Sequence, residues 1–359
     1  MNKTRKLLIL AGMLAVALLL GGCSGKGFVP TSWPGVTLSE SGDSLYIAHN
    51  LGIYRVSQTS GTQQLAFPAE GINGATYFSA PVFTDDGQMI AASYNNHLYS
   101  FDAANGALNW EFKARSRFIA SPLLLDGVLY APNADGNLYA ISLAGELLNT
   151  FEAGDGLWAT PATDGEAIFL SSMDSKVYSL APGSLNVNWE TDAGGAIVST
   201  PVIDVESGLL YVGTFNGEVL GISLEVGRIE WRAETEAWIW GPPALVDGTL
   251  YVGDLDGNLY AFEATGTGEP VWTIQLDGQI AGAPLVTSDG LYIGTSNGNF
   301  YGIDLNGTLR FTKYFEDVLL LGTPTLVEDL ILVGSDGADG VLMAFNANGV
   351  VQWEFTPEK

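Results

Sequence analysis

A proline returns along this chain at nearly constant spacing, and that period constrains the fold more than any other feature of the sequence. Pro34, Pro81, Pro122, Pro161, Pro201, Pro243, Pro284 and Pro324 are separated by 47, 41, 39, 40, 42, 41 and 40 residues. Self-similarity at such a period marks an architecture built by repeating one supersecondary unit. Behind each proline the same parts recur in the same order. Three or four mostly apolar residues lead into a turn, as in Pro122-Leu-Leu-Leu-Asp126-Gly127. A segment with a Leu-Tyr pair follows, at Leu129-Tyr130, Leu210-Tyr211, Leu250-Tyr251 and Leu291-Tyr292. Then comes a second tight turn: Asn95-Asn96, Asp135-Gly136, Asn216-Gly217, Asp256-Gly257 or Asn297-Gly298. A further aliphatic-Tyr pair closes that hairpin, at Leu98-Tyr99, Leu138-Tyr139, Val177-Tyr178 and Leu259-Tyr260.

Each part has a physical reading. Asn-Gly and Asp-Gly pairs tolerate positive φ and favour the tight hairpins whose twist matches the flanking strands. The β-branched and aromatic residues between the turns suit a pleated, half-buried surface. No stretch beyond the first 22 residues has a helical period. Each unit is therefore expected to be a four-stranded antiparallel meander. Eight such units arranged radially leave only short, protected edges. The fold class is all-β, an eight-bladed β-propeller.

An aromatic closes most units: Trp110, Phe151, Trp189, Trp231, Trp272, Phe311 and Trp353. In six units a glycine sits four residues before the closing position, from Gly61 before Leu65 to Gly349 before Trp353. The run Phe101-Asp102-Ala-Ala-Asn-Gly106-Ala-Leu-Asn-Trp110 resembles the tryptophan-docking motif of pyrroloquinoline-quinone-like (PQQ-like) propellers, and so does Ile222-Ser223-Leu-Glu-Val-Gly227-Arg-Ile-Glu-Trp231. The resemblance covers residues 33–356 and implies that these aromatics insert between neighbouring blades as structural docking groups. No unit ends in the Trp-Asp pair of WD40 repeats, and none has the paired glycines of kelch repeats.

The first 22 residues read as a processing signal rather than as part of the fold. Lys3, Arg5 and Lys6 precede an apolar run from Leu7 to Leu20 that stops at Leu20-Gly21-Gly22-Cys23. A spanning helix needs about 20 apolar residues, and this run is shorter. The Leu-Gly-Gly-Cys ending resembles a bacterial lipobox, which implies a diacylated (palmitate-bearing) Cys23 as the mature N-terminus. Residues 1–22 are thus expected to be signal peptide, 23–32 a lipidated tether, and 33–359 a single propeller domain. Cys23 is the single cysteine, so neither disulfides nor cysteine-held metals are expected in the propeller. The chain carries a formal net charge of −26, a field that repels nucleic acid. Contact with membrane is expected through the anchor alone, and the propeller is expected to be monomeric.

Catalytic motifs are thin. His49 and His97 have no neighbouring serine with a supporting acid in sequence. Asp254-Leu-Asp256-Gly-Asn258 and Asp336-Gly-Ala-Asp339-Gly340 superficially look like calcium loops, but the Glu that closes an EF-hand loop is missing, and both fall at hairpin turns. No phosphate-binding glycine loop occurs. PQQ-dependent enzymes of the resembling family are longer and set a vicinal disulfide against the cofactor, which one cysteine cannot build. The expectation is no cofactor, no metal and no enzymatic activity, with a quinoprotein enzyme as the least favoured reading.

The segment just before each opening proline points to a binding face. It contains Phe78, Phe118, Trp158, Trp238 and Trp240, with Arg115 and Arg117 flanking the same segment in the third unit. These side chains either plug the narrow end of the ring or form an exposed apolar, Arg-containing patch of the kind that marks interfaces. A lipid-anchored PQQ-like propeller without cofactor apparatus is similar to the BamB family, scaffold lipoproteins of outer-membrane β-barrel assembly. That resemblance implies a protein-binding scaffold at the cell envelope. In a host with two membranes it would sit on the outer one facing the periplasm, and in a host with one membrane on the cell surface. The alternative is a surface lipoprotein that binds a small ligand or polysaccharide at the channel mouth.

Overall fold

The computed structural model describes residues 34–39, 42, 44–337 and 341–358. The signal segment and Cys23 lie outside the described residues. Eight four-stranded antiparallel sheets follow one another along the chain, spanning 35–67, 82–113, 123–152, 162–192, 202–234, 244–275, 285–314 and 325–355. In every sheet the strands lie side by side in sequence order, as a meander requires. The fold is an eight-bladed β-propeller.

The hairpins turn where small and Asx residues permit it. Between the second and third strands, Asn96 has φ 72° and Gly136 has φ 88°; a β-branched side chain at either would be strained. The first strands of the fourth, fifth, sixth and seventh blades touch one another in turn, which puts the first strands on the axis. Their N-terminal ends cannot carry bulk there. A Cβ on Gly241 would lie 2.8 Å from Ala281 O, and one on Gly282 would lie 2.6 Å from the Gly322 carbonyl carbon.

The described residues form eight small cores, one at each junction between blades. Ile90, Ala92 and Leu98 of the second blade pack with Leu129, Ala131 and Ile141 of the third. Phe169 and Val177 of the fourth pack with Leu210, Val212 and Ile222 of the fifth. Because side chains alternate across a strand, each middle strand serves the junctions on both of its faces. The fourth strands, at the outer edge, alternate exposed polar positions with half-buried ones, as in Val187–Asp192. Charges such as Glu190 and Asp192 on that edge discourage sheet-to-sheet pairing.

The docking aromatics join blade to blade by one repeated contact. Nε1 of Trp110, Trp189, Trp231 and Trp272 donates to a carbonyl in the next blade's outer hairpin: Leu143 (2.9 Å), Leu224 (2.9 Å), Gly266 (3.0 Å) and Leu305 (2.9 Å). The ring lies against a glycine of that hairpin, as Trp272 does on Gly307. Phe311 lies on Gly349 in the same way, without a hydrogen bond to give. Trp353 closes the circle, donating to Gln58 O at 2.8 Å and lying on Gly61 of the first blade. Leu45, Ile47 and Val56 complete that junction with Leu332, Leu342 and Phe355. Among the described residues no strand is exchanged between the first and last blades; the ring is sealed by the same tryptophan contact that joins the second to the third, the fourth to the fifth, the fifth to the sixth and the sixth to the seventh blade.

One position departs from the sequence reading. In the third blade the register places Asn149, not Phe151, where other blades hold the docking ring: Ala140 faces Asn149 just as Ser100 faces Trp110. Asn149 Nδ2 donates to Gly183 O (3.2 Å) and Ser184 O (2.8 Å) of the fourth blade. Phe151, two residues on, points to the same side and packs edge-on against Tyr178 at 5.1 Å. The outer strand keeps its two-residue period, so a shift of two preserves the face and misleads a count of aromatics.

Candidate functional site

The chain crosses from blade to blade on one face of the ring, which also carries the turns between second and third strands. Each linker is pinned between two such turns by backbone bonds. Phe118 N donates to Ser93 O (3.1 Å) of the blade behind, and Ala134 N of the blade ahead donates to Arg117 O (3.1 Å). The same pair recurs at Ile239 N to Thr214 O (3.1 Å) and Leu255 N to Trp238 O (2.9 Å). Three positions per junction therefore stand at this face: the linker residues on either side of the pinned one, and the residue that opens the turn.

The pinned residue itself is core. Phe118 is 1% exposed and packs with Ile90, Leu98 and Leu129; Leu157, Ile197, Ile239 and Ile280 take the same place elsewhere. Phe78, one residue past its pinned neighbour Tyr77, is 5% exposed, held edge-on to His49 (6.3 Å) and to Tyr94 (4.9 Å). Phe78 and Phe118 are thus not available at the surface, a correction to the sequence reading. Phe118 fills an inter-blade pocket because its amide is tied down, and Phe78 is covered by the Tyr94 turn. Burial also holds the His49 pKa below the ordinary imidazole value.

The remaining candidates do reach the surface. Trp158, Trp238 and Trp240 are half-buried, and Arg115 and Arg117 are exposed. The structure adds partners from the turns that the sequence reading had passed over. Phe215 stacks with Trp238 (5.1 Å between centroids, 9° between planes) and with Trp240 (5.4 Å, 29°). The Arg117 guanidinium lies over Tyr94 at 5.7 Å. Tyr94, Met173, Phe215 and Leu255 are all half-buried, and each opens its turn. That position was legible, since it directly precedes the Asn-Asn, Asp-Ser, Asn-Gly and Asp-Gly pairs.

The result is an uneven crown of aromatic and apolar side chains with two cations. It runs from the second blade to the sixth, and Leu319 and Leu321 extend it at the eighth. Around the seventh blade the same positions hold Gln279, Ala281 and Ser296. Exposed Asp155, Glu236, Glu316 and Asp317 rim it. Neither Arg115 nor Arg117 is in an ion pair among the described residues.

Beneath the crown, tyrosines of the third strands brace the turns and linkers. Tyr139 donates to Asp135 (2.7 Å) and Tyr178 to Asp174 (2.6 Å). Tyr260 donates to Asp254 (3.0 Å) while accepting the Glu236 amide (3.1 Å), and Tyr301 donates to Asp277 (2.7 Å). Burial, with the facing carboxylate, raises the pKa of all four phenols, of Tyr260 and Tyr301 to about 12. Asp254 also accepts Asp256 N, Asn258 N and Asn258 Nδ2, so the first calcium-like loop is a self-satisfied turn. Among the described residues no group of three or more His, Cys, Asp or Glu side chains is arranged to hold a metal ion. The crown presents stacked rings, aliphatic tips and guanidinium groups on a braced ring of turns.

Comparison with known proteins agrees on architecture. The profile of the family described as outer membrane protein assembly factor BamB matches residues 49–235 and 217–357. Outer membrane protein assembly factor BamB of Salmonella typhimurium is 25% identical over 215 residues, covering 56% of this chain and 53% of the relative. The serine/threonine-protein kinase AfsK of Streptomyces griseus is 28% identical over 186 residues, 47% of this chain and 23% of the kinase. The chain thus spans about half the length of that BamB relative and under a quarter of the kinase. The crystal structure of BamB from Moraxella catarrhalis superposes with a TM-score of 0.69 at 17% identity, over 88% of this chain and 92% of that one. The computationally designed Ika8 protein superposes with a TM-score of 0.71 at 13% identity, over 88% and 96%. At these identities the two superpositions speak for the fold alone.

Proposed function

The chain belongs to the family described as outer membrane protein assembly factor BamB, and from that membership we propose that it is a non-catalytic, lipid-anchored scaffold that binds a protein partner at the cell envelope. The observation that carries the reading is the crown. Interfaces are anchored by aromatic and arginine side chains at their centre, with polar groups around them, and the crown has that composition. Its rings are fixed before binding by stacking and by the pinned linkers, so little side-chain freedom is lost on association. In a host with an outer membrane, the partner is a component of β-barrel protein assembly.

The test is affinity purification from detergent-solubilised membranes of the host, comparing the intact protein with a Trp158→Ala/Trp240→Ala variant. A partner enriched with the intact protein and lost with the variant, at unchanged circular dichroism, is the expected result. A partner retained by the variant would place recognition elsewhere on the propeller. Absence of any enriched protein would overturn the scaffold reading.

A further inference from the structure

The face opposite the crown carries the turns between first and second strands and the outer hairpins between third and fourth strands. At the junction of the second and third blades it opens into a cleft of about 260 Å³, smaller than the pockets of about 300–1,000 Å³ that take drug-sized ligands. Asp86, Gln88, Asp102, Asn109 and Trp110 of the second blade line it with Leu143 of the third. Gln88 organises the walls. Its Oε1 accepts Ser100 Oγ (2.5 Å) and Trp110 Nε1 (3.0 Å), and its Nε2 donates to Asp86 (2.9 Å) and Leu143 O (3.1 Å). Hydrogen bonds from Thr84 and Gln88 hold the Asp86 carboxyl below its ordinary pKa. Asp102 Oδ1 accepts the amides of Ala104 (2.8 Å) and Asn105 (3.3 Å). Both carboxylates keep free lone pairs, and neither is in an ion pair among the described residues.

A device that the repeat itself needs appears in every blade, and this one does not. The register puts Val128, Leu209 and Thr249 at the place of Gln88 in the third, fifth and sixth blades. The seventh blade is the informative case. There Gly290 replaces Gln88, Asp304 stands at the place of Asp102, Phe311 at that of Trp110, and Arg310 at that of Asn109. The longer side chain turns back into the slot of its own blade. Its Nε lies 3.4 Å from Asp304 Oδ1, and its guanidinium lies over Tyr292 (5.1 Å) and Phe311 (5.9 Å). A Cβ on Gly290 would lie 3.2 Å from its Nη2. The seventh blade thus fills with its own guanidinium the place that the second blade leaves open.

We infer that the cleft between the second and third blades binds a guanidinium group, held by Asp86 and Asp102 beside the Trp110 ring. Asn109 is too short to fill the room that Arg310 takes in the seventh blade. Two carboxylates suit a planar fork of donors better than the point charge of an ammonium. Trp110 offers the aromatic neighbour that Phe311 gives Arg310, and indole is the strongest such partner for a cation. The site is separate from the crown. The guanidinium arrives either on a free small molecule or on an arginine side chain of another polypeptide, and the recognising chemistry is the same.

The experiment titrates the full-length protein in detergent micelles with N-acetyl-arginine methylamide at low ionic strength, read by isothermal titration calorimetry. The citrulline counterpart, which keeps the shape without the charge, and N-acetyl-lysine methylamide are the controls. The expected result is saturable binding of the arginine probe, on the order of tenfold tighter than either control and weakened on a similar scale by Asp86→Asn/Asp102→Asn. Asn109→Arg should abolish binding at unchanged circular dichroism, because the new side chain fills the cleft from within. Agmatine distinguishes the sources. Tighter binding than the arginine probe assigns the site to a free small molecule, and weaker binding assigns it to an arginine of a polypeptide. The inference is overturned if the arginine probe does not saturate, if the citrulline or lysine control binds as tightly, or if both variants retain full binding.

Discussion

At the scale of single residues, the contact that joins blades is a ring lying on a left-handed glycine. A Cβ on Gly61 would lie 2.5 Å from Cε3 of Trp353, at a backbone φ of 67°. Gly61→Ala is therefore expected to cost more than about 1 kcal/mol through strain alone, read as a lowered midpoint in chemical denaturation. The braced phenols give a second expectation. Tyr260 and Tyr301 have pKa values of about 12 in the fold against about 10 in the unfolded chain. A pKa raised on folding means that the folded state holds the proton more tightly. The stabilisation is complete below pH 10 and disappears as pH rises from 10 to 12. Ultraviolet titration should show a late tyrosinate fraction above pH 11, coinciding with loss of stability. A protein whose tyrosines all ionise near pH 10 while folded would contradict the bracing.

At the scale of elements, the third blade shows how a strand keeps its place when its key ring is absent. Asn149 meets the next blade by hydrogen bonds alone, and both of its acceptors belong to an exposed turn. Asn149→Ala is expected to cost about 1 kcal/mol, the usual net worth of such bonds. Phe151 is half-buried against Tyr178, so Phe151→Ala should cost about 2 kcal/mol, roughly half the fully buried value. Thermal unfolding of the two variants would check the order. The cue to the register was present: Gly145 stands four residues before Asn149, as Gly106 stands before Trp110. Counting aromatics overrode that glycine spacing, because a residue with no ring gives no signal for a ring's position. The same logic explains Phe78 and Phe118. Each belongs to a linker between blades, but a hydrogen bond from the Phe118 amide to Ser93 O of the neighbouring turn, invisible in the sequence, turns Phe118 inward.

At the scale of the whole molecule, Trp353 seals the first and last blades by the same contact that Trp189 makes between the fourth and fifth, so among the described residues closure uses an ordinary junction. Trp353→Ala at the chain ends and Trp189→Ala in mid-chain should each cost about 3 kcal/mol and agree within about 1 kcal/mol. A much larger loss for Trp353→Ala would mean that the seal between the first and last blades carries a special load. The eight separate cores also have a consequence for function. Each junction supports its own portion of the linker face, so the crown varies from blade to blade without disturbing the repeat. That freedom lets the seventh blade present Gln279 and Ser296 where the fifth and sixth present Phe215 and Trp238.

The sequence by itself determined the blade number, the strand order and the turns, because those follow from local rules repeated eight times. Period, turn pairs and strand residues agree in unit after unit, and one irregular copy cannot outvote the rest. It also contained the crown's material, though in pieces about 40 residues apart. Tertiary structure alone decided which pieces assemble. Whether a linker aromatic faces solvent depends on the amide bonded one residue away, on the turn of the adjoining blade, and on the space left by the next junction. Those are contacts between units, and a pattern read within one unit does not contain them.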